Sequence, residues 1–217
     1  MITRLLVEGP DDKNVVSHLL IRNGFTFKTN DRIAVQLIGN DDSILEIKDK
    51  GGFSNLITTL KQELAASDLS GLGIIVDADA SLSDRWQNLR DGLRPCGYTS
   101  IPGLPSNAGT VIAGVDTAAV GVWIMPDNTL DGVLEDFVAG LVPDGDSLWP
   151  RAQQAVRDIP SDLRRCPATA KAEIHTWLAW QEEPGARLGS AINRQYLRSD
   201  TPTALTLVAW VNRLCAA

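Results

Sequence analysis

LLVEGPDDKNVV, residues 5–16, passes from an apolar strand through an acidic turn into a helix within twelve positions. Leu5, Leu6 and Val7 form a short run that stops on Glu8-Gly9, and Asp11 and Asp12 follow. Val15, Val16, Leu19 and Leu20 then recur at helical spacing, and the pattern closes on Gly24. A loop that only reversed direction could use Gly, Asn or Ser. The crowding of acid where a buried strand surfaces needs another explanation.

Working outward, the strand-then-helix unit repeats. RIAVQLIGN (32–40) reads as a strand and GFSNLITTLKQELAASD (52–68) as a helix with Phe53, Leu56, Ile57, Leu60 and Leu64 on one face. GLGIIVDADA (71–80) is a strand centred on Ile74, Ile75 and Val76. SLSDRWQNLRDGLRPCG (81–97) is a helix capped by Ser81 or Ser83. AVGVWIMPDN (119–128) is a strand, and GVLEDFVAGLV (132–142) is the helix after it. This alternation, with nearly continuous apolar strands, predicts an α/β fold: a parallel four-stranded sheet with helices on both faces, over residues 1–140. Strand signals then stop. PATAKAEIHTWLAWQEEP (167–184), GSAINRQYLR (189–198) and PTALTLVAWVNRLCAA (202–217) read as helices, so residues 141–217 are expected to form a small helical annex packed on the sheet.

Composition narrows the class. With 44% apolar and 22% charged residues the chain reads as an ordinary globular protein. No window approaches the roughly 18 unbroken apolar residues of a membrane span. The first strand begins almost at once, leaving no room for a signal peptide. The cysteines, Cys96, Cys166 and Cys215, are odd in number and contain no CxxC pair, which argues against a disulfide framework and a zinc ribbon. A cytoplasmic protein with no membrane partner is expected. Net charge is −7, and it is uneven: residues 1–140 hold 11 Lys+Arg against 19 Asp+Glu, residues 141–217 hold 9 against 8. Such a chain is a poor non-specific nucleic-acid binder unless cations, local arginines or a basic partner intervene.

Three of the strands end in acid: Glu8, then Asp77-Ala78-Asp79, then Asp127. In a parallel sheet these ends share one edge, where ligands bind. Acids near helix N-termini also serve as caps, but agreement of three strand ends is harder to obtain from capping alone. Like charges gathered there favour a hard divalent cation with oxygen ligands.

VEGPDD after a first strand and IIVDADA ending a third resemble the Toprim domain of primases, topoisomerases, OLD-type nucleases and RecR. The resemblance covers about residues 1–140 and implies general acid/base work for Glu8 and Mg²⁺ binding for Asp77 and Asp79. The OLD-type branch adds an acid in the first motif, matching Asp12, and a later glutamate and lysine, matching Glu135 and Lys171. VGVWIMPDNTLDGVLEDF (120–137) also resembles an uncharacterised bacterial family of small stand-alone Toprim-like proteins. Departures narrow the branch. Tyr98 and Tyr196 lie in no topoisomerase-like nucleophile domain, the zinc sites of primase and RecR are missing, and there is no GxxxxGK[ST] loop of an attached ATPase.

The resemblance therefore implies an Mg²⁺-dependent nuclease, with Mn²⁺ as a substitute, that cleaves phosphodiesters in nucleic-acid processing or anti-phage defence. Glu8 and Lys171 are the expected catalytic residues, and Glu8, Asp12, Asp77, Asp79 and Glu135 the expected metal ligands. Its partners would be DNA or RNA and a separate ATPase chain, and a homo-oligomer is compatible with both. The alternative is a non-catalytic Toprim-like module that binds metal, nucleotide or a partner. Other residues read plainly. His18 and His175 lack zinc-pair spacing, and Trp177, Trp180 and Trp210 suit helix packing. Gly51–Phe53 suits a structural turn. Arg151, Arg157, Arg164, Arg165 and Lys171 form either a backbone-binding stretch or a solvated helix face.

Overall fold

The computed structural model describes residues 2–30, 34–39, 43–115 and 117–217. Seven strands form one mixed sheet: β1 (Ile2–Val7), β2 (Thr26–Asn30), β3 (Ala34–Ile38), β4 (Ile44–Asp49), β5 (Leu69–Asp77), β6 (Thr110–Ile112) and β7 (Ala119–Met125). Their order is β2-β3-β4-β1-β5-β7-β6. The central four, β4-β1-β5-β7, are parallel, while β2, β3 and β6 run antiparallel to their neighbours.

The expected four-stranded parallel sheet is thus corrected to seven mixed strands. The strand read over 32–40 is β3, antiparallel to β4; Arg32, Ile33 and Asn40 of that stretch lie outside the described residues. The fourth parallel strand is β4, ILEIKD, which charge hides from a search for apolar runs. Its Glu46 is buried because Arg4, opposite it on β1, donates from Nε to Oε2 at 2.6 Å. Arg4 Nη1 also reaches Glu63 at 3.0 Å, Lys48 reaches Glu46 at 3.1 Å, and Lys50 pairs with Glu63. Burial pushes Glu46 and Glu63 up, but these cations outweigh it and hold both carboxyls below their ordinary range.

Helices cover both faces, as the alternation predicts. On one face Leu6, Ile74 and Val76 meet α2 (Phe53–Leu64) and α3 (Leu82–Leu93) through Leu56 and Trp86. Ser81 caps α3, its Oγ accepting from Asp84 N at 3.2 Å. On the other face Leu5, Val7 and Trp123 pack in one cluster with α1 (Pro10–Arg22) and α4 (Leu134–Ala139). The same cluster takes in α5 (Trp149–Arg157), α6 (Thr169–Ala179), α7 (Leu188–Asn193) and α8 (Pro202–Cys215). Helix α5 is an addition to the sequence reading.

The glycines inside β5 and β7 explain how α8 sits so close. Gly73 and Gly121 are register partners. A Cβ at Gly73 would collide with Leu5 and lie 2.9 Å from Leu214, and one at Gly121 would lie 2.9 Å from both Leu214 and Trp210. The pair forms a shallow trough for α8, and Trp210 is fully buried with its ring 6.0 Å from that of Trp123. Trp177 is buried likewise, whereas Trp180, expected in the core, is 43% exposed just past the end of α6. Among the described residues no helix is long and apolar enough to cross a membrane.

Candidate functional site

Strands β1, β5 and β7 are adjacent and parallel, so their carboxyl ends share one edge. Glu8, the first residue past β1, crosses to β5: its Oε1 accepts from the Asp77 N–H at 3.0 Å. Asp77, the last residue of β5, crosses in turn to the start of α4, its Oδ1 accepting from the Leu134 N–H at 2.8 Å. Two carboxylates thus tie three separate chain segments together.

Asp12 comes from α1. It lies four residues before Val16 and seven before Leu19, on the buried face of the helix, and it is only 7% exposed. Its Oδ2 accepts from the Gly9 N–H at 3.1 Å. Its Oδ1 is buried and has no hydrogen-bond partner among the described residues. Gly9 has extended backbone that any residue could adopt, but a Cβ there would lie 3.3 Å from Asp12 Oδ2. A side chain at this turn would require the Asp12 carboxylate to give by a few tenths of an ångström.

Glu135, on the first turn of α4, is 8% exposed and pairs with Lys171 Nζ at 3.1 Å. Lys171 reaches it because α6 is anchored by Ile174 and Leu178, three and seven residues further on, and therefore on the same helix face. Asp146 fixes the other end of that anchor, its Oδ1 accepting from the Trp177 Nε1–H at 3.2 Å and from the Trp149 N–H at 2.8 Å.

The electrostatics follow from burial first and from crowding second. Burial, opposed by its backbone hydrogen bonds and reinforced by Glu8 and Glu135, pushes Asp12 up to about 7. Burial, then Asp12 and Glu8, and finally Asp79, push Asp77 up to about 8 against the Leu134 hydrogen bond. Lys171 is raised by its hydrogen bond to Glu135, with Asp11 adding to the effect.

Asp79 stands differently. Its backbone is left-handed, with φ of 55°, held by paired hydrogen bonds with Gly132 at 2.8 and 2.9 Å. Its side chain is mostly exposed and forms an ion pair with Arg85 of α3. The geometry therefore brings Glu8, Asp12, Asp77 and Glu135 together with Lys171, and places Asp79 beside them under the hold of Arg85. Asp127, expected among the strand-end acids, serves its own turn: Oδ1 accepts from the Thr129 and Leu130 N–H groups at 2.9 and 3.0 Å. Asp136 likewise accepts from Val133 N–H at the start of α4. Among the described residues no three His, Cys, Asp or Glu side chains are already arranged around one metal position; Glu8, Asp77, Glu135 and one oxygen of Asp12 are instead held by donors of this chain.

Arg85 was not singled out from the sequence, although a signal existed. It lies near the N-terminus of α3, where the helix dipole disfavours a cation, and such a placement implies an acidic partner nearby. The burial of Asp12 was also legible, from its spacing to Val16 and Leu19.

Fold and site together define a mixed α/β protein with a carboxylate-lined edge where three parallel strands end. The chain belongs to the family described as "Protein of unknown function (DUF3226)", which matches residues 2–216. No curated protein matches it. A solved structure of the hypothetical protein SA1046 from S. aureus is 12% identical, over 57% of this chain and 91% of that one, with a TM-score of 0.22, too low to bear on fold or site.

Proposed function

We propose that this chain is a Toprim-like, Mg²⁺-dependent phosphodiester-cleaving enzyme, a nuclease acting on DNA or RNA together with a separate ATPase chain. The observation that carries this reading is Asp12: a buried carboxylate whose Oδ1 has no partner among the described residues, pushed up to about 7 by burial and by neighbouring acids. A chain gains nothing in stability from such a group, whereas a hard cation with oxygen ligands fits it. Glu8, Asp12, Asp77, Asp79 and Glu135 are the residues that would hold Mg²⁺ or Mn²⁺. Such an ion, when bound, offsets charge on a phosphate and makes water a better nucleophile. Asp12 and Asp77, both raised by burial and neighbouring acids, would have to be deprotonated to hold the cation. Glu8, fixed by the Asp77 N–H, accepts the proton of the attacking water or hydroxyl. Lys171 brings fixed positive charge from the C-terminal helices to an edge that is otherwise acidic.

The test is cleavage of labelled DNA and RNA with Mg²⁺ or Mn²⁺, by wild type and by Glu8→Gln. Wild type should cut at least one substrate, and Glu8→Gln should lose roughly 10²-fold or more, the usual contribution of a general base. A second reading, a non-catalytic module that binds metal or nucleotide, is favoured by the Asp79–Arg85 pair and the net charge of −7. It prevails if wild type binds Mn²⁺ and cuts neither polymer.

A further inference from the structure

Arg85 stands out among the cations near the acidic edge. Its guanidinium donates to Asp79 Oδ2, and its Cζ lies 3.9 Å from the centre of the Phe53 ring. Stacking on Phe53 does not consume the in-plane donors, so the group is held at one face and free to exchange partners at its edge. Phe53 is itself fixed at the first position of α2, directly after Gly52, whose N–H donates to the Glu8 carbonyl at 2.8 Å. Arg85 therefore spans from the β5 end to the turn that contacts the β1 end. Its side chain is 11% exposed, while the Asp79 carboxylate it holds is 58% exposed. The cation is the anchored member of the pair and the carboxylate the movable one.

Resting on the metal-site reading above, we infer that Arg85 is the phosphate-positioning residue of this site: it neutralises Asp79 in the metal-free protein and passes to a non-bridging oxygen of a nucleic-acid phosphate when Asp79 turns to a divalent cation. The exchange balances charge. Asp79 trades a guanidinium for a metal ion, and Arg85 trades a carboxylate for a phosphate of the same sign. The planar fork suits a phosphate in a way that an ammonium does not. In an acidic protein this supplies, at the strand edge itself, a donor that discriminates a phosphodiester from a neutral ligand. Lys171 serves Glu135 on the other side of the edge and does not duplicate it.

Two measurements test this. The first is Mn²⁺ affinity by calorimetry on wild type, Arg85→Gln, Asp79→Asn and the double variant. Arg85→Gln should bind Mn²⁺ roughly fivefold more tightly, since a partly exposed pair no longer competes for Asp79. In the Asp79→Asn background the same substitution should change nothing. The second is anisotropy of a labelled oligonucleotide with Ca²⁺ present, where Arg85→Gln should weaken binding roughly tenfold or more and Arg85→Lys should recover little of it. Mn²⁺ affinity unchanged by Arg85→Gln, or changed equally with and without Asp79, overturns the Arg85 role and leaves the metal site standing. No Mn²⁺ binding by wild type overturns the metal site and this inference with it. Should Arg85→Gln melt well below wild type, Arg85→Lys carries the anisotropy comparison, because it keeps the charge and loses the fork; oligonucleotide binding as tight as wild type would overturn the Arg85 role.

Discussion

Replacing Asp77 by asparagine removes one ionisable group from the strand-end edge and keeps the acceptor that Leu134 N–H uses. The magnitude follows from linkage. Burial and the neighbouring acids raise Asp77 from 3.8 to about 8, so the folded protein favours the protonated form and the unfolded chain does not. The sign is then fixed: the folded state binds more protons than the unfolded state across this window, so stability falls as pH rises through it. The penalty is absent below the ordinary aspartate value and complete once pH exceeds about 8. At pH 7 it spans roughly three pKa units, an upper bound of about 4 kcal/mol. Asp12 and Glu8 share the same repulsion and would relax in part, so we expect about half of that. Chelator-treated Asp77→Asn should be more stable than wild type by about 2 kcal/mol at pH 7, or ~4–8 °C in Tm for a chain of this size. The two proteins should converge near pH 4. Thermal denaturation from pH 4 to pH 9, with chelator and again with millimolar Mg²⁺, measures this directly. The metal should narrow the gap by stabilising wild type more than the variant. A variant that is less stable at pH 8, or a gap independent of pH, refutes the reasoning that burial of Asp77 among other carboxyls destabilises this edge.

Lys171→Ala should leave the fold intact by circular dichroism and lower any cleavage rate about 10²-fold, the loss expected for one transition-state donor, with only partial recovery in Lys171→Arg. Gly73→Ala should cost about 1–3 kcal/mol in urea denaturation, because the added methyl meets Leu5 and Leu214 in the trough that seats α8; a change under ~0.5 kcal/mol would show that α8 is not held by this contact. Arg4→Ala should cost about 3 kcal/mol near neutral pH by leaving buried Glu46, and half-buried Glu63 beside it, short of a partner. That loss should shrink in acid: both carboxyls are held below their ordinary range, so the stability they contribute is present above that range and disappears as they protonate.

The apolar centres of β1, β5 and β7, the amphipathic stripes of α1, α2 and α3, and the Ser81 cap were all legible, because each is written in residues within one or two turns of one another. So was the gathering of acid at one edge, once the alternation of strand and helix implied parallel strands. What the sequence could not disclose was which partner each acid takes. Asp77 is held by Leu134, 57 positions away, and Glu8 by Asp77, 69 positions away. Asp127 and Asp136 look no different in type from Glu135, yet local turns consume them while Glu135 meets Lys171. Strand β4 is the same case within the core. Glu46 and Lys48 give it a polar pattern, and only the placement of Arg4 on the neighbouring strand makes its burial tolerable. Short-range pattern determined the elements and their caps. Pairing across the sheet, decided by burial and by which opposite charge or backbone N–H lies within reach, determined everything the acids could do.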